Sequence, residues 1–425
     1  MIVSGDTGFN IKSVSRFLLA VLVPSLLVAA APRKPAAKIA GAVSIIRDVA
    51  VVDVVNGQIT PHQDIVIRGD RIEEVCRTAA PSNITRYAIP GLWDMHVHLW
   101  DADPQFPSYL ANGVTGVRDM GSDLDRVRKW QKEIAAGRLA PRIYTSGAPL
   151  NTTPSEDPKL PVTVIRTPDD ARRAFDHYYD LRVDFIKVLD LPAAAFEALA
   201  EMSRHGGVPF AGHLPDSVSA FSAAEGRMVT MEHLYGIALA CSSREPELRQ
   251  RLLNAEAAHD RAELTRVREE IRASFDDAKA SRLWDLFRRY NVYQTPTLTM
   301  LRRENPDTDF AFELTKSMAM SGVAILAGTD TGDPGTVPGV TLHEELRLLV
   351  KAGLTPAQAL RAATWEPARL MRLTASLGQI RAGYLADLVI LKANPLDDIA
   401  NTEQIEEVIA GGKPVQIPGP AASHT

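Results

Sequence analysis

Beyond residue 40 the chain alternates between two textures of hydrophobic and polar positions. The stretch "GAVSIIRDVAVVDVVNGQITPHQDIVIRGDRIEEV" is a series of Val- and Ile-rich runs broken by "NGQ" and "RGDR", the pattern of β-strands joined by tight turns. The same texture returns in "LGQIRAGYLADLVILKANP" and "IEEVIAGGKPVQI". Between these ends, short apolar runs alternate with amphipathic ones. Strands are expected at "AIPGLWDMHVHL", "VTGVRDMG", "PRIYTSG", "DFIKVLD", "VPFAGHLP", "RMVTMEHLYG", "VYQTPTLTM" and "VAILAGTD", and helices at "DLDRVRKWQKEIAAG", "PDDARRAFDHYYDLR" and "PAAAFEALAEMSRHG". Alternation on this scale implies parallel strands, and eight repeats predict an α/β fold, a closed (β/α)8 TIM barrel with its chemistry at the C-terminal ends of the strands. The expected organisation is a barrel over 89–380, a small β domain built from 40–88 and 381–416, and a disordered tail over 417–425. The charged stretch from Ser242 to Tyr290 reads as helices, either an outer barrel helix with an extension or a lid.

The N-terminus does not fit this pattern. Lys12 and Arg16 precede "FLLAVLVPSLLVAAA", a short apolar run with a small-residue exit. That is the composition of a secretory signal peptide over 1–31, and it implies export to the periplasm or the medium. The run is short for a bilayer span, which needs about 20 residues, so no stable membrane anchor is expected after cleavage. The polar leader "MIVSGDTGFN" leaves a start codon further downstream open. Composition then narrows the partners. A net charge of −5 with dispersed charges gives no footprint for nucleic acid. The two cysteines, Cys76 and Cys241, are too few for a thiolate metal site, and whether they pair is not readable from spacing.

Candidate chemistry starts at "GLWDMHVHLW". On a strand, positions i and i+2 share a face, so His96 and His98 point the same way. Lys187 lies in the fourth expected strand, and His213, His233 and Asp330 end the fifth, sixth and eighth. Singly, each reads equally well as a satisfied core histidine, a snorkelling lysine or a turn-capping aspartate. Six such residues at the same ends of one barrel make a site. Four neutral imidazoles and a carboxylate suit zinc or a similar divalent ion. Lys187 is the odd member, because an ammonium beside dications is repelled and burial would discharge it. Carboxylation of its nitrogen by CO2 would give an anion with two oxygens able to bridge two metals. Asp94 shares the histidines' parity but lies deeper, as a residue supporting the ligands or a barrel-core residue instead of a ligand. His343 is expected on an outer helix.

Taken together, "IPGLWDMHVH", the strand lysine, the two later histidines and "AGTD" resemble the amidohydrolase superfamily, binuclear subtype. The tail "LHEELRLLVKAGLTPAQALRAATWEPARLMRLTASLGQIRAGYLADLVILKANPLDDI" is similar to it as well, and the resemblance runs from about Val43 to Val415. "GVTGVRDMGS", "DFIKV" and "EHLYG" look most like its prolidase and dipeptidase branch. The resemblance implies a β-sandwich made from the two chain ends and two divalent metals, zinc by expectation. His96, His98 and Asp330 would hold the more buried metal and His213 and His233 the other, with carboxylated Lys187 bridging them. A hydroxide between the metals would be the nucleophile and Asp330 the catalytic proton shuttle. Tyr235 would touch the oxyanion or a substrate carboxylate, or be a rim aromatic. Arg118 would clamp a substrate carboxylate, or pair with Asp119.

The expected substrate is a small-molecule amide, a dipeptide or an N-acyl amino acid. Cyclic amides of the imidazolonepropionase or hydantoinase kind, lactones and esters stay open, because the same centre attacks any activated carbonyl. Retention of all six residues argues against a non-catalytic binding protein. Dimers are common in families of this fold, yet no feature fixes a homo-oligomer here. The chain departs from its relatives at "AGHLPDS", where many have Ala-His-Ala, and at the Gly- and Pro-rich "TGDPGTVPGVTLHEE".

Overall fold

Gly91 divides what reads as one strand into two belonging to different sheets. Its N–H donates to Asp387 O, and a Cβ there would fall 2.0 Å from Thr115 Oγ1. In the computed structural model, which describes residues 41–416 apart from 84, 158, 305–307 and 333–334, strand β4 ends before this glycine and β5 starts after it. The expected signal peptide and the expected tail lie outside the described residues. Among the described residues no helix is long and apolar enough to cross a membrane.

Both ends of the described chain meet in one seven-stranded sheet. Strands β1 (Val43–Asp53), β2 (Gln58–Arg68), β3 (Arg71–Arg77) and β4 (Tyr87–Pro90) come from the N-terminal side. β5 (Leu92–Val97), β6 (Val114–Asp119) and β7 (Arg142–Thr145) form a parallel three-stranded sheet. β8 (Leu150–Asn151), β9 (Thr163–Val164), β10 (Ile186–Val188), β11 (Phe210–Gly212), β12 (Thr230–Glu232) and β13 (Tyr293–Thr295) form a parallel six-stranded one, in the order 13-12-11-10-8-9. The chain then returns as β14 (Leu388–Leu391), β15 (Ile405–Ala410) and β16 (Lys413–Pro414), giving the seven-stranded order 16-15-14-4-1-2-3. Ile46, Ile65, Ile67, Leu388 and Ile390 fill one core beneath this sheet.

The result is a mixed α/β fold whose parallel strands make a half-barrel sheet. The expected eighth strand, "VAILAGTD", is not a strand. It touches its neighbours through single bridges, Gln294 with Ile325 and Val97 with Thr331, and through Met95 N–H to Ala327 O and Leu326 N–H to Gln294 O. The backbone turns away because Asp330 adopts φ 59° and Gly328 lies against His96, where a Cβ would sit 2.9 Å from its backbone nitrogen. β8 and β9 are too short for a periodic signal.

The expected helices occur as Leu124–Ala135, Pro168–Asp180 and Ala193–Gly206, and their starts and stops have local causes. Asp123 caps the first by accepting from Arg126 N–H. Thr167 and Asp170 form a capping box on the second. Gly207, at φ 80°, ends the third. The charged 242–290 stretch is three helices, Glu245–Ala257, Arg261–Ala273 and Asp277–Tyr290. Leu248, Leu252, Val267 and Ile271 form a small core of their own between the first two.

Close strand packing sets up the site. Gly212 has φ 129°, and a Cβ there would lie 2.2 Å from Val188 O and 2.8 Å from Lys187 Cδ. Gly212→Ala is therefore expected to force β10 and β11 apart and cost about 1–3 kcal/mol. The measurement is urea unfolding, where a lower midpoint at unchanged slope is expected. An unchanged midpoint would mean the two strands have room to spare.

Candidate active site

The carboxyl ends of the parallel strands converge on polar side chains almost wholly out of water. His96, on β5, has its Nδ1 2.9 Å from Glu232 Oε2 and its Nε2 3.3 Å from Asp330 Oδ1. Two residues on, His98 Nε2 lies 3.2 Å from the same Asp330 oxygen, its ring stacked on Trp100. His233 follows β12, with Nδ1 2.7 Å from Thr297 Oγ1 and its ring 4.6 Å from that of His96. His213 follows β11, its ring 4.9 Å from that of His233. Lys187, in the middle of β10, is fully buried, and its Nζ has no hydrogen-bond partner.

These side chains alter one another's protonation. Burial pushes His96 down to about 4, helped by the charge of Lys187. His213 and His233 are driven well below their ordinary value by burial first, and then by Lys187 and His96 respectively. Burial also brings Lys187 down to about 8. His98 goes the other way: burial opposes its charge, but the Asp330 carboxylate outweighs that and raises it. Asp330 is held well below the carboxylate range, since the surrounding imidazoles more than offset its burial. The set is an ionised carboxylate among mostly neutral imidazoles, the state in which such groups ligate metals.

A divalent cation fits this donor set. His96, His233 and Asp330 each offer a ligand atom, all within 4.8 Å of one another. His96 Nε2 is a buried nitrogen with no hydrogen-bond partner, and Lys187 Nζ is equally unpartnered. Stranded polar atoms of this kind are costly unless something else satisfies them. The tightest trio mixes the two expected ligand sets, because the His233 ring lies nearer His96 than the His98 ring does, 4.6 against 5.7 Å.

Of the two residues expected at the substrate, one is elsewhere. Arg118 is only 1 % exposed and lies beneath the site instead of facing a ligand. Its Nε donates to Met95 O (2.6 Å), Nη1 to Thr230 Oγ1 (2.9 Å), and Nη2 to Glu232 Oε1 (2.8 Å) and Thr295 Oγ1 (3.3 Å). Nor does it pair with Asp119, which instead accepts from Leu99 N–H, Ser122 Oγ and Thr145 Oγ1. Tyr235 is 36 % exposed, its ring 5.4 Å from that of His213. Burial and Glu304 push its phenol up to about 12, so it is a hydrogen-bond donor at neutral pH. Tyr235 and His213 line a cavity of about 1070 Å³, whose far wall is Leu252, Arg268 and neighbours on the two charged helices.

Supporting residues are harder to read in the sequence. Asp94 is the core residue its deeper position suggests: fully buried, it accepts from Thr329 N–H (3.1 Å) and Thr329 Oγ1 (2.6 Å), fixing the turn that presents Asp330. Glu232 is signalled only by its alternation with Thr230 on an otherwise apolar strand. Thr297 has no signal at all. Strain collects here: His233, Leu234, Thr297 and Asp330 all have φ between 47° and 61°.

Glu345 is a more remote support, on the Val340–Lys351 helix that also bears His343, which is buried against Thr402 and Asn112. Its carboxylate accepts from Leu298 N–H (2.9 Å) and Thr299 N–H (2.8 Å), just beyond Thr297. Burial pushes this carboxyl up to about 7. Because the folded pKa exceeds the unfolded one, of about 4.3, the folded state holds the extra proton between those values, and stability falls as pH rises through that window. Glu345→Gln keeps an acceptor without the charge. Its melting temperature relative to the wild type should therefore climb between about pH 5 and about pH 8. A relative decline over that range would show that the ionised form is the stabilised one.

Residues 87–415 match the amidohydrolase family. An ochratoxinase from Aspergillus niger is 23% identical over 408 residues, covering 78% of this chain and 76% of that protein. Among solved structures, a prolidase candidate from Bifidobacterium longum superposes with a TM-score of 0.68 at 25% identity, covering 89% of this chain and 96% of that one. A Xaa-Pro dipeptidase with methionine bound in its active site gives 0.65 at 22% identity, covering 88% and 99%. With the match spanning most of its length and the buried histidine and aspartate cluster at its strand ends, the chain belongs to the amidohydrolase family and is a hydrolase acting on carbon–nitrogen bonds.

Proposed function

We propose that the protein is an exported, binuclear metal-dependent hydrolase that cleaves the amide bond of a dipeptide or N-acyl amino acid. The observation that carries this reading is the pair of stranded nitrogens, His96 Nε2 and Lys187 Nζ, fully buried beside Asp330. His96, His98, His213, His233 and Asp330 would hold two divalent ions, zinc by their donor chemistry. Lys187, its nitrogen carboxylated by CO2, would bridge them. When bound, the ions supply Lewis-acid polarisation of the scissile carbonyl and acidify the attacking water.

The chain's own groups do the rest. Asp330 takes the proton of the attacking water and passes it to the leaving nitrogen. The Tyr235 phenol donates a hydrogen bond to the oxyanion or to the substrate carboxylate. The cavity beside it houses the remainder of the substrate, with the Glu245–Ala257 and Arg261–Ala273 helices as its outer wall. The hydrogen bonds of the 324–331 segment to β5 on one side and β13 on the other support closure of the parallel strands into a (β/α)8 barrel. The seven-stranded sheet would be its β-sandwich domain. Names of similar proteins, prolidase and Xaa-Pro dipeptidase, support the substrate class. Export rests on the N-terminal apolar run alone.

The direct experiment is a hydrolysis screen of dipeptides and N-acyl amino acids with the zinc-loaded protein. Turnover that a chelator removes and zinc restores is expected, and zinc content below one equivalent would sink the binuclear reading. Asp330→Asn should lower kcat by about 10²–10⁴-fold while metal stays largely bound. Undiminished turnover would assign the proton transfer to another group. Isotope-labelled bicarbonate should give a carbamate carbon signal that Lys187→Met lacks.

A further inference from the structure

Beneath the site lies a buried ion pair that the proposed reaction does not use. Glu232 is fully buried at the end of β12, and both of its oxygens are engaged. Oε1 accepts from Arg118 Nη2 at 2.8 Å and from Thr230 Oγ1, and Oε2 lies 2.9 Å from His96 Nδ1. Arg118 reaches this point from β6, with all three of its guanidinium nitrogens donating. Its Cζ lies over the Phe185 ring, 5.6 Å from the centroid.

We infer that Glu232, held in place by Arg118, is a positioning residue that fixes His96 as the Nδ1–H tautomer and leaves its Nε2 lone pair free for a metal. The inference rests on the metal-centre reading above. A carboxylate paired with a guanidinium has no proton to give, so the hydrogen in the 2.9 Å contact belongs to His96 Nδ1. The opposite nitrogen then carries the lone pair, and Nε2, 3.3 Å from Asp330 Oδ1, forms no hydrogen bond among the described residues, the arrangement of two ligand atoms for one cation.

Two of the other imidazoles meet neutral groups instead of a carboxylate. His98 Nδ1 has only the Gly121 carbonyl, at 3.4 Å, and His233 Nδ1 has the Thr297 hydroxyl. A carboxylate behind a ligating imidazole makes it a better donor and locks its ring. Left alone, Glu232 would be a costly buried charge; Arg118 neutralises it, and the four hydrogen bonds of its guanidinium leave it little freedom to move.

The test must separate positioning from simple structural support. A buried ion pair exchanged for apolar groups of similar volume is often neutral or stabilising. The double variant Arg118→Met/Glu232→Leu should therefore unfold near the wild-type midpoint, yet bind zinc about 10–100-fold more weakly in competition with a chelating dye. Glu232→Ala should weaken zinc binding by a similar factor.

In the metal-free full chain, long-range proton–nitrogen NMR should show His96 as Nδ1–H in the wild type and as a tautomer mixture in both variants. If Glu232→Ala does not fold, the double variant decides. Wild-type zinc affinity and an unchanged His96 tautomer in the double variant would overturn the assignment. If the wild type takes up no zinc, the metal-centre reading fails, and the metal-free tautomer comparison still decides whether Glu232 positions His96.

Discussion

The site depends on polar groups that are buried without enough protein partners. Lys187 Nζ and His96 Nε2 are fully buried and form no hydrogen bond among the described residues, His96 Nε2 meeting only the Asp330 carboxylate at 3.3 Å. Each such atom costs about 1–3 kcal/mol when nothing satisfies it. Much of the surrounding architecture keeps these groups from relaxing. Gly212 and Gly328 allow the backbones of β11 and the 324–331 segment to approach closely, and Asp94 pins the turn before Asp330. Backbone strain at His233, Leu234, Thr297 and Asp330 follows from the same demand, because side chains are aimed inward where an extended backbone would aim them elsewhere.

The support is graded. The site side chains come from β5 and its C-terminal end, β10, the turns after β11 and β12, and the 324–331 segment, so their mutual geometry is set by how these segments pair, which is hard to change. Behind them, Glu232 holds His96, Thr297 holds His233, and Asp94 holds Thr329 in the turn before Asp330. Behind these, Arg118 and Glu345 tie the supports to the rest of the fold. Substitution at the outermost tier is felt through orientation, with no contact to the reacting atoms.

Much of this was legible in the sequence wherever a period or a local signal existed. His96 and His98 share a strand face by parity, and the helix caps at Asp123, Thr167 and Gly207 stand where local rules put them. What stayed hidden depended on contacts across the fold. Arg118 looks like a clamp in "VRDM" because nothing local reveals that Glu232, 114 residues away, claims its charge. The segment before Asp330 has the composition of a strand, but left-handed backbone at one residue reduces its ladder to single bridges. β4 and β5 run together in sequence because a single glycine, with no gap in hydrophobicity, sends them to different sheets.

The seven-stranded sheet bears on how the chain reaches its native state. β4 lies between β1 and β14, pairing Tyr87 with Leu391 and Ala88 with Ile390. Its middle strands therefore join segments about three hundred residues apart, among the least local contacts a chain of this length can make, and such closures are slow to form. Until the segment from Leu388 onward, about the last tenth of the polypeptide, is available, the apolar faces of β1 and β4 have no complete partner. The molecule can finish folding only after the whole chain has emerged, so its amino-terminal strands depend on whatever shields exposed sheet edges in the interval.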